Sequence, residues 1–303
     1  NATYRRDGST LHATGQRDGY PAVADFDGDG QAEIVVSDDS RTVRMHRANF
    51  DLVWSRPGAG SGPPTIADFD GDGQPEIGVA GDSTYTVLEG DGTPLWQVTT
   101  QDSSSGRTGS SVFDFEGDGA AEVVYADETH LWVYSGIDGT VKLSDANHTS
   151  WTWIEYATIA DVDGDDEAEI IVPNGQIAAS TSGMHHGVVV VGDADHSWLP
   201  ARRIWNQHAY HITNVNDDGT IPAVADRNWV VGHNNFRSGD ITRKDGASAP
   251  DLVLADATLC ELECDDDTLV LWMHPGNAGP IDTTRSAQVA LFAERDGERE
   301  ILE

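Results

Sequence analysis

Short apolar runs recur along the chain in pairs, with an acidic stretch between the two members of each pair. The runs are rich in Val, Ile and aromatic residues and are too short for amphipathic helices, so they predict β-strands. The runs before the acidic stretches are PAVADF (21–26), PTIADF (64–69), SSVFDF (110–115) and ATIADV (157–162). Those after them are AEIVVS (32–37), PEIGVA (75–80), AEVVYA (121–126) and AEIIVP (168–173).

The acidic stretches repeat at a nearly constant spacing. They begin at Asp25, Asp68, Asp114 and Asp161, which are 43, 46 and 47 residues apart. A period of this size is typical of propellers and solenoids, in which each repeat is one supersecondary unit. A turn with a further strand follows in three units, as NFDLVW (49–54), DGTPLW (91–96) and DGTVKL (138–143). Each unit thus predicts four strands, and the chain predicts an all-β propeller with an acidic loop between the first and second strands of each blade.

The two ends of the chain differ from the repeats. DGSTLH (7–12) has the turn marker but no acidic loop, so residues 1–19 are interpreted as half a blade at the start of a propeller region that spans 1–222. Residues 223–249 are poor in apolar residues and are interpreted as a linker. Residues 250–303 again show strand patterns. The chain begins at Asn1 rather than methionine, so we expect a mature or excised segment.

Each acidic stretch places oxygen ligands at alternate positions of a nine-residue loop. Calcium takes six to eight oxygen ligands, so acids at positions 1, 3, 5 and 9 and the carbonyl of position 7 could surround one ion. The residue at position 6 must allow a sharp turn; it is glycine in three loops and Asp166 in the fourth. The predicted ligands are Asp25, Asp27, Asp29, Gln31 and Glu33; Asp68, Asp70, Asp72, Gln74 and Glu76; Asp114, Glu116, Asp118, Ala120 and Glu122; and Asp161, Asp163, Asp165, Glu167 and Glu169.

The alternatives to four calcium ions are solvated acidic turns without an ion, or another divalent cation. An EF-hand is excluded because position 12, which should be an acid, is Val36, Val79, Tyr125 or Val172. Without a cation, the grouped carboxylates would repel one another and raise their own pKa values. A fifth, weaker calcium loop is predicted from Asn214, Asn216 and Asp218.

The net charge and the apolar runs exclude some partners and a membrane span, and the two cysteines leave two redox states open. The formal net charge of −34 argues against nucleic acids and anionic membranes as partners, since both attract cationic surfaces. No apolar run approaches the roughly 18 residues of a membrane span. Cys260 and Cys264 are either a local disulfide of an oxidising compartment or two free thiols.

Residues 202–211 form a dense polar and aromatic cluster, which either contacts a sugar or partner or braces the end of the propeller. His185, His186, Trp151 and Trp153 are further candidates for a carbohydrate-binding face, although packing roles are the plainer interpretation.

The four nonapeptides with their flanking strands resemble the FG-GAP/VCBS repeats, the calcium-binding propeller repeats also found in integrin α-subunits. The resemblance covers roughly residues 1–205 and implies a propeller and calcium, but no particular activity. HPGNAGPIDTTRSAQVALF (274–292) resembles the CARDB type of bacterial adhesion domain, an immunoglobulin-like sandwich. Only part of such a sandwich would be present, which implies completion by further strands or by a neighbouring molecule.

These features favour a calcium-stabilised, secreted or cell-surface module of adhesion, or a subunit of a filament or matrix, with protein or glycan partners. Self-association would use the incomplete C-terminal sandwich. No nucleophile motif or phosphate-binding loop is visible, so a non-enzymatic role is expected. The alternative is a secreted propeller that binds or cleaves carbohydrate, since a carboxylate pair could catalyse glycoside hydrolysis.

Overall fold

The computed structural model describes residues 2–4, 9–13, 17–153, 155–175 and 187–240, and four later strands at 252–259, 271–277, 291–295 and 298–302. Within these residues the chain is all-β, and none of them lies in a helix. The chain divides into two compact units, Asn1–Asp245 and Gly246–Glu303.

The first unit contains four antiparallel sheets of three or four strands in sequence order, none of which closes on itself. They follow a two-stranded sheet of β1 (Ala2–Tyr4) and β2 (Thr10–Ala13). Sheet 1 contains β3 (Gly19–Ala24), β4 (Glu33–Asp38), β5 (Thr42–His46) and β6 (Leu52–Pro57). Sheet 2 contains β7 (Thr65–Ala67), β8 (Glu76–Ala80), β9 (Thr84–Leu88) and β10 (Pro94–Thr99). Sheet 3 contains β11 (Ser110–Phe113), β12 (Glu122–Ala126), β13 (Leu131–Tyr134) and β14 (Val141–Asp145). Sheet 4 contains β15 (Thr158–Ala160), β16 (Glu169–Asn174) and β17 (Gly187–Val191).

The four sheets share one register at the acidic loop. In each sheet the glutamate at loop position 9 opens the second strand and pairs with the residue before the aspartate at position 1. The pairs are Ala24 with Glu33, Ala67 with Glu76, Phe113 with Glu122, and Ala160 with Glu169. The loop therefore connects the first two strands of every sheet, as the sequence predicts, and position 12 lies within a strand each time.

The buried hydrophobic residues form clusters that lie between successive sheets. Val35 and Ile77 belong to a buried cluster shared by sheets 1 and 2, and separate clusters join sheet 2 to sheet 3 and sheet 3 to sheet 4. Strands β8 and β12 are buried along their whole length because both faces are covered, which explains their nearly unbroken apolar runs. The outer strands β6 and β14 are largely exposed.

A tryptophan on an outer strand joins each of the first two sheets to the next. Trp54 Nε1 donates a hydrogen bond to the carbonyl of Gly90 at 2.9 Å, and Trp96 Nε1 donates to the carbonyl of Gly136. An indole that packs apolar surface while its N–H is satisfied suits such a position.

Sheet 4 differs from the predicted four-stranded unit. The stretch from 187 supplies the third strand, β17, but no fourth strand follows it in the described residues up to 240. The chain instead turns at Asp193, whose carboxylate accepts from the backbone N–H of Asp195 at 3.2 Å and of Ser197 at 2.7 Å. These local bonds compete with strand pairing, so the prediction of a fourth strand was wrong here.

Residues 234–240, which we call the strap, lie within the stretch whose composition indicates a linker, yet they are buried. The strap lies against all four sheets, in part through backbone hydrogen bonds. The contacts are Asn234 with Asp25, Phe236 with Ile66, Ser238 with Val112, and Gly239 with Ile159. The strap thus lies along the first strands of the sheets, where its polar groups find backbone partners.

The second unit has two antiparallel hairpins among the strands described. One pairs β18 (Leu252–Leu259) with β19 (Leu271–Asn277), and the other pairs β20 (Leu291–Arg295) with β21 (Glu298–Leu302). Cys260 and Cys264 lie outside the described residues.

Candidate metal centre

The aspartate at position 1 organises each acidic loop from within. Asp25 Oδ1 accepts a hydrogen bond from the N–H of Gly28 at 2.7 Å, and its Oδ2 accepts one from Gly30 at 2.8 Å. Asp68, Asp114 and Asp161 make the equivalent pair of bonds to positions 4 and 6 of their own loops. The repeated sequence therefore folds into one repeated turn.

The glutamate at position 9 closes the loop from the strand side. Glu33 Oε2 accepts from the N–H of Phe26 at 3.0 Å, and Glu76 Oε2 accepts from Phe69 at 2.7 Å. Glu122 and Glu169 accept from position 2 of their loops in the same way. This bond holds each carboxyl group through Oε2 and does not involve its second oxygen, Oε1.

The turn at position 6 requires a left-handed backbone, as the sequence predicts. Gly30, Gly73 and Gly119 have φ of 83°, 89° and 92°, and Asp166 has φ of 70°. Aspartate tolerates this region better than most residues. The expectation for Asp166 is confirmed.

Three of the four loops bring carboxylates close together. Carboxylate oxygens from three residues lie within 4.8 Å of one another in each of these groups: Asp25, Asp27 and Asp29; Asp68, Asp70 and Glu76; and Asp161, Asp163 and Glu169. Two oxygens on opposite sides of one calcium ion are separated by about 4.8 Å, so the spacing suits such an ion.

The third loop instead contains an internal cation. Lys142 Nζ, from the outer strand β14, lies 2.6 Å from Glu122 Oε1 and 2.8 Å from Glu116 Oε2. Lys142 thus occupies two carboxylates that the sequence assigns to a metal.

The fourth loop has basic neighbours as well. Arg203 Nε donates to Asp161 Oδ2 at 2.8 Å, and its NH2 group donates to Asp166 Oδ1 at 2.8 Å. His196 Nδ1 lies 3.2 Å from Glu167 Oε2 and 3.8 Å from Asp165 Oδ2. The carboxylates of the fourth loop are thus partly compensated by groups of the chain itself.

Burial raises the pKa of several acids in the loops. Burial, reinforced by the charges of Asp70, Asp68 and Asp72, raises the pKa of Glu76 to about 9, although the N–H of Phe69 opposes the shift. Burial also raises the pKa of Glu33, Glu169, Asp68 and Asp114 above the usual range. A divalent cation would favour the charged form of all these groups.

The residues fit a hard divalent cation. In the first and second loops the convergent side-chain donors are all carboxylate oxygens, the ligand type that calcium prefers. Position 7 offers a backbone carbonyl in each loop, from Gln31, Gln74, Ala120 or Glu167. The first two loops fit best, since no lysine or arginine contacts their acids among the described residues.

The predicted fifth loop has its side chains directed to different partners. Asn214 Oδ1 accepts from Gln207 Nε2 at 2.6 Å, Asn216 Nδ2 donates to Thr220 Oγ1 at 2.9 Å, and Asp218 Oδ1 accepts from the N–H of Thr220 at 2.9 Å. Each of these side chains thus has a local partner, and the fifth loop stays a prediction.

The 202–211 cluster acts mainly as an internal brace. Arg202 donates to the carbonyls of Ile212 and Val215 at 2.6 and 2.9 Å. The ring of Trp205 stacks on that of Tyr210 with 4.4 Å between the centroids. These contacts favour the bracing interpretation over a sugar-binding one for this cluster.

Comparison with known proteins identifies the repeat. Three FG-GAP-like repeats match residues 25–79, 68–124 and 114–172, in agreement with the spacing of the first to fourth acidic loops. No curated protein is significantly similar in sequence to the chain. The resemblance of the C-terminal part to a CARDB domain stays a prediction.

Two solved structures resemble the chain to different extents. The biofilm matrix protein Bap1 of V. cholerae superposes with a TM-score of 0.71 at 19% identity, over 79% of this chain and 67% of that one. The C-terminal domain of PilY1 from Pseudomonas aeruginosa matches with a TM-score of 0.43 at 13% identity, over 65% of this chain and 55% of that one. At these identities the likeness to Bap1 shows a shared fold. The described residues include no helix long and apolar enough to cross a membrane.

Proposed function

We propose that the first unit is a calcium-stabilised β-propeller whose blades are the four sheets, and that the chain serves as a non-catalytic module of an extracellular matrix or cell surface. One observation carries the proposal: four loops with one hydrogen-bond pattern hold acids at the same positions, and in three of them carboxylate oxygens converge. The recurrent acids are assigned to calcium rather than to catalysis.

The propeller arrangement is supported by the order of the sheets. The first strands β3, β7, β11 and β15 lie side by side in sequence order, and each sheet packs its face on the next. The strap contacts Ile66, Val112 and Ile159 within three of these strands. Such an arrangement is what blades around a common axis would produce.

The extracellular role is supported by the FG-GAP-like repeats, by the shared fold of a protein described as a biofilm matrix protein, and by the charge of −34. Calcium concentrations outside cells suit loops of this kind, which can bind weakly and still be occupied. Partners would be proteins or glycans of the matrix. Self-association through the C-terminal unit belongs to the same proposal.

Thermal unfolding with EDTA and then across a calcium titration tests the metal assignment. Binding to the folded state alone raises stability by about 2.7 kcal/mol at a hundredfold excess over Kd. We expect a rise in Tm that magnesium does not reproduce, because magnesium demands a tighter, octahedral shell. An Asp70→Asn/Asp72→Asn variant should lose part of the rise, whereas the exposed control Asp195→Asn/Asp226→Asn should keep it.

The absence of any calcium-dependent rise would refute the metal assignment. A calcium-loaded chain that stays monomeric in sedimentation and binds neither bacterial cells nor their extracted matrix would count against the matrix role.

A further inference from the structure

Two tryptophans project from the loop between β14 and β15. The side chains of Trp151 and Trp153 are 60% and 57% exposed, whereas Thr152 between them is only 2% exposed. Thr152 and Trp153 both have left-handed backbones, with φ of 58° and 87°. This conformation costs of order 1–3 kcal/mol per residue, so it persists only where the surroundings impose it.

Hydrogen bonds from neighbouring loops impose that conformation. Thr152 Oγ1 donates to the buried carboxylate of Asp102 at 2.5 Å, and the N–H of Trp153 donates to Ser105 Oγ at 3.0 Å. Ser104 Oγ donates to the carbonyl of Trp151 at 2.9 Å. The backbone that carries the two indoles is therefore fixed before any ligand arrives, which lowers the entropic cost of binding.

Polar side chains belong to the loops that hold the two indoles. Glu128 accepts from the side chain of Gln101 at 3.2 Å and from the N–H of Ser104 at 2.6 Å. The Arg107 guanidinium lies 6.0 Å from the ring centroid of Trp153. Donors and acceptors thus lie on the loops that hold the exposed indoles, and a combination of aromatic and polar groups is typical of small-molecule and sugar sites.

The pair lies at the opposite end of the sheets from the acidic loops. The acidic loop of sheet 3 joins β11 to β12 after Phe113, whereas the loops 100–109 and 146–157 lead into the other ends of the first strands β11 and β15. A ligand of the tryptophan pair would therefore not compete with calcium for carboxylates.

We propose that Trp151 and Trp153 form a binding platform for a neutral polysaccharide, with Arg107, Gln101 and Glu128 as its hydrogen-bonding rim. Pyranose rings present an apolar C–H face to stack on indoles and hydroxyl groups to meet the rim. Polyanions are disfavoured by the net charge of −34. Insertion into a lipid surface would desolvate the carboxylate of Glu128 at high cost. This inference rests on the proposed matrix role and names its ligand class.

Affinity electrophoresis and titration calorimetry with calcium present test the platform. The probes are dextran, mannan and β-1,4-galactan as neutral polysaccharides, alginate as an acidic one, and phosphatidylcholine vesicles as a lipid surface. We expect binding to at least one neutral polysaccharide and a loss of about tenfold or more in the Trp151→Ala/Trp153→Ala variant. The matched control is Val188→Ala/Val190→Ala, which trims two side chains that are 67% and 52% exposed on β17 and should bind normally.

A Trp151→Tyr/Trp153→Tyr variant should retain most of the binding, because it keeps aromatic faces. It tests the platform even if the alanine variant fails to fold. No binding to any neutral polysaccharide, or equal binding by the alanine variant, would overturn the platform. So would a tryptophan-dependent preference for vesicles or alginate. If the platform fails these tests while calcium still raises Tm, only the platform is refuted. If calcium does not raise Tm, the proposed calcium-stabilised module is refuted as well.

Discussion

Lys142 Nζ lies 2.6 Å from Glu122 Oε1, so the third acidic loop contains an ammonium group where the first and second loops have none. The same place after the turn carries Val53 in the first unit and Leu95 in the second. Burial raises the pKa of Glu122, and the hydrogen bonds to Glu116 and Glu122 raise the pKa of Lys142 despite its partial burial. The four loops are thus unequal, although their nonapeptides are nearly alike.

Replacing Lys142 should strengthen calcium binding at the third loop. In Lys142→Met the ion no longer competes with the ammonium group for Glu122 and Glu116, so we expect a larger calcium-dependent rise in Tm. Without calcium the same variant should be less stable than the parent, because a buried glutamate loses its partner. Calorimetric titration and thermal unfolding with EDTA measure the two effects. Arg56→Met, on the exposed outer strand β6, is the matched control and should change neither the calcium response nor the stability in EDTA. An unchanged calcium response in Lys142→Met would contradict the prediction.

Stability should depend on pH differently with and without calcium. The pKa of Glu76 is raised to about 9 in the folded chain, against 4.5 as its ordinary value. The folded state therefore holds its proton longer than the unfolded state, and stability is lost as pH rises from 4.5 towards 9. Between pH 5 and pH 8 one such group costs up to about 4 kcal/mol, since each pKa unit corresponds to about 1.36 kcal/mol.

Thermal unfolding in EDTA should therefore show Tm falling from pH 5 to pH 8. With saturating calcium the loss should shrink or reverse, because the ion stabilises the ionised glutamate. A Glu76→Gln variant should flatten the dependence in EDTA. A Tm in EDTA that rises over this interval would contradict the assignment of a buried, uncompensated carboxylate.

Local features of the fold could be predicted from the sequence. Valine-rich runs on either side of an acid-glycine loop encode a hairpin within about a dozen residues, so the strands, the loop positions and the turn at Asp166 were all predicted correctly. The FG-GAP-like repeat was recognised for the same reason. That calcium binds to the predicted ligands stays a prediction.

Long-range partners could not be predicted from the same patterns. Arg203 reaches Asp161 from 42 residues away, and Lys142 reaches Glu122 from 20. The strap escaped prediction because it is buried through polar groups that find backbone partners, which composition alone does not distinguish from a solvated linker. The missing fourth strand of sheet 4 reflects the local bonds of Asp193.

Arg237, in the strap, is a buried cation, and its replacement separates charge from volume. Its side chain is 2% exposed, donates to the carbonyl of Pro64, and leaves Nε without a partner in the described residues. Burial lowers its pKa to about 10. Arg237→Met keeps much of the volume and removes the buried charge but also the bond to the Pro64 carbonyl, so it should be less destabilising than Arg237→Ala. Arg237→Ala should destabilise by about 2–4 kcal/mol through the cavity it leaves. Chemical denaturation measures both, and a methionine variant as unstable as the alanine variant would show that the guanidinium itself is required.

Thr152 holds the tryptophan platform by donating to Asp102, which is 0% exposed and also accepts from Tyr125 at 3.2 Å. Thr152→Val keeps the shape of the side chain and removes one hydrogen bond to the buried carboxylate, which keeps Ser105 Oγ and the N–H of Gly106 as donors, so we expect a loss of about 1 kcal/mol of stability. The matched control is Thr140→Val, which removes a comparable 2.8 Å bond to the exposed Asp138 and should cost less than about 0.5 kcal/mol. Urea unfolding measures both. The affinity of Thr152→Val for the neutral polysaccharide should fall as well, because the loop no longer holds the two indoles in place. Equal stability of the two valine variants would show that Asp102 does not depend on this hydroxyl.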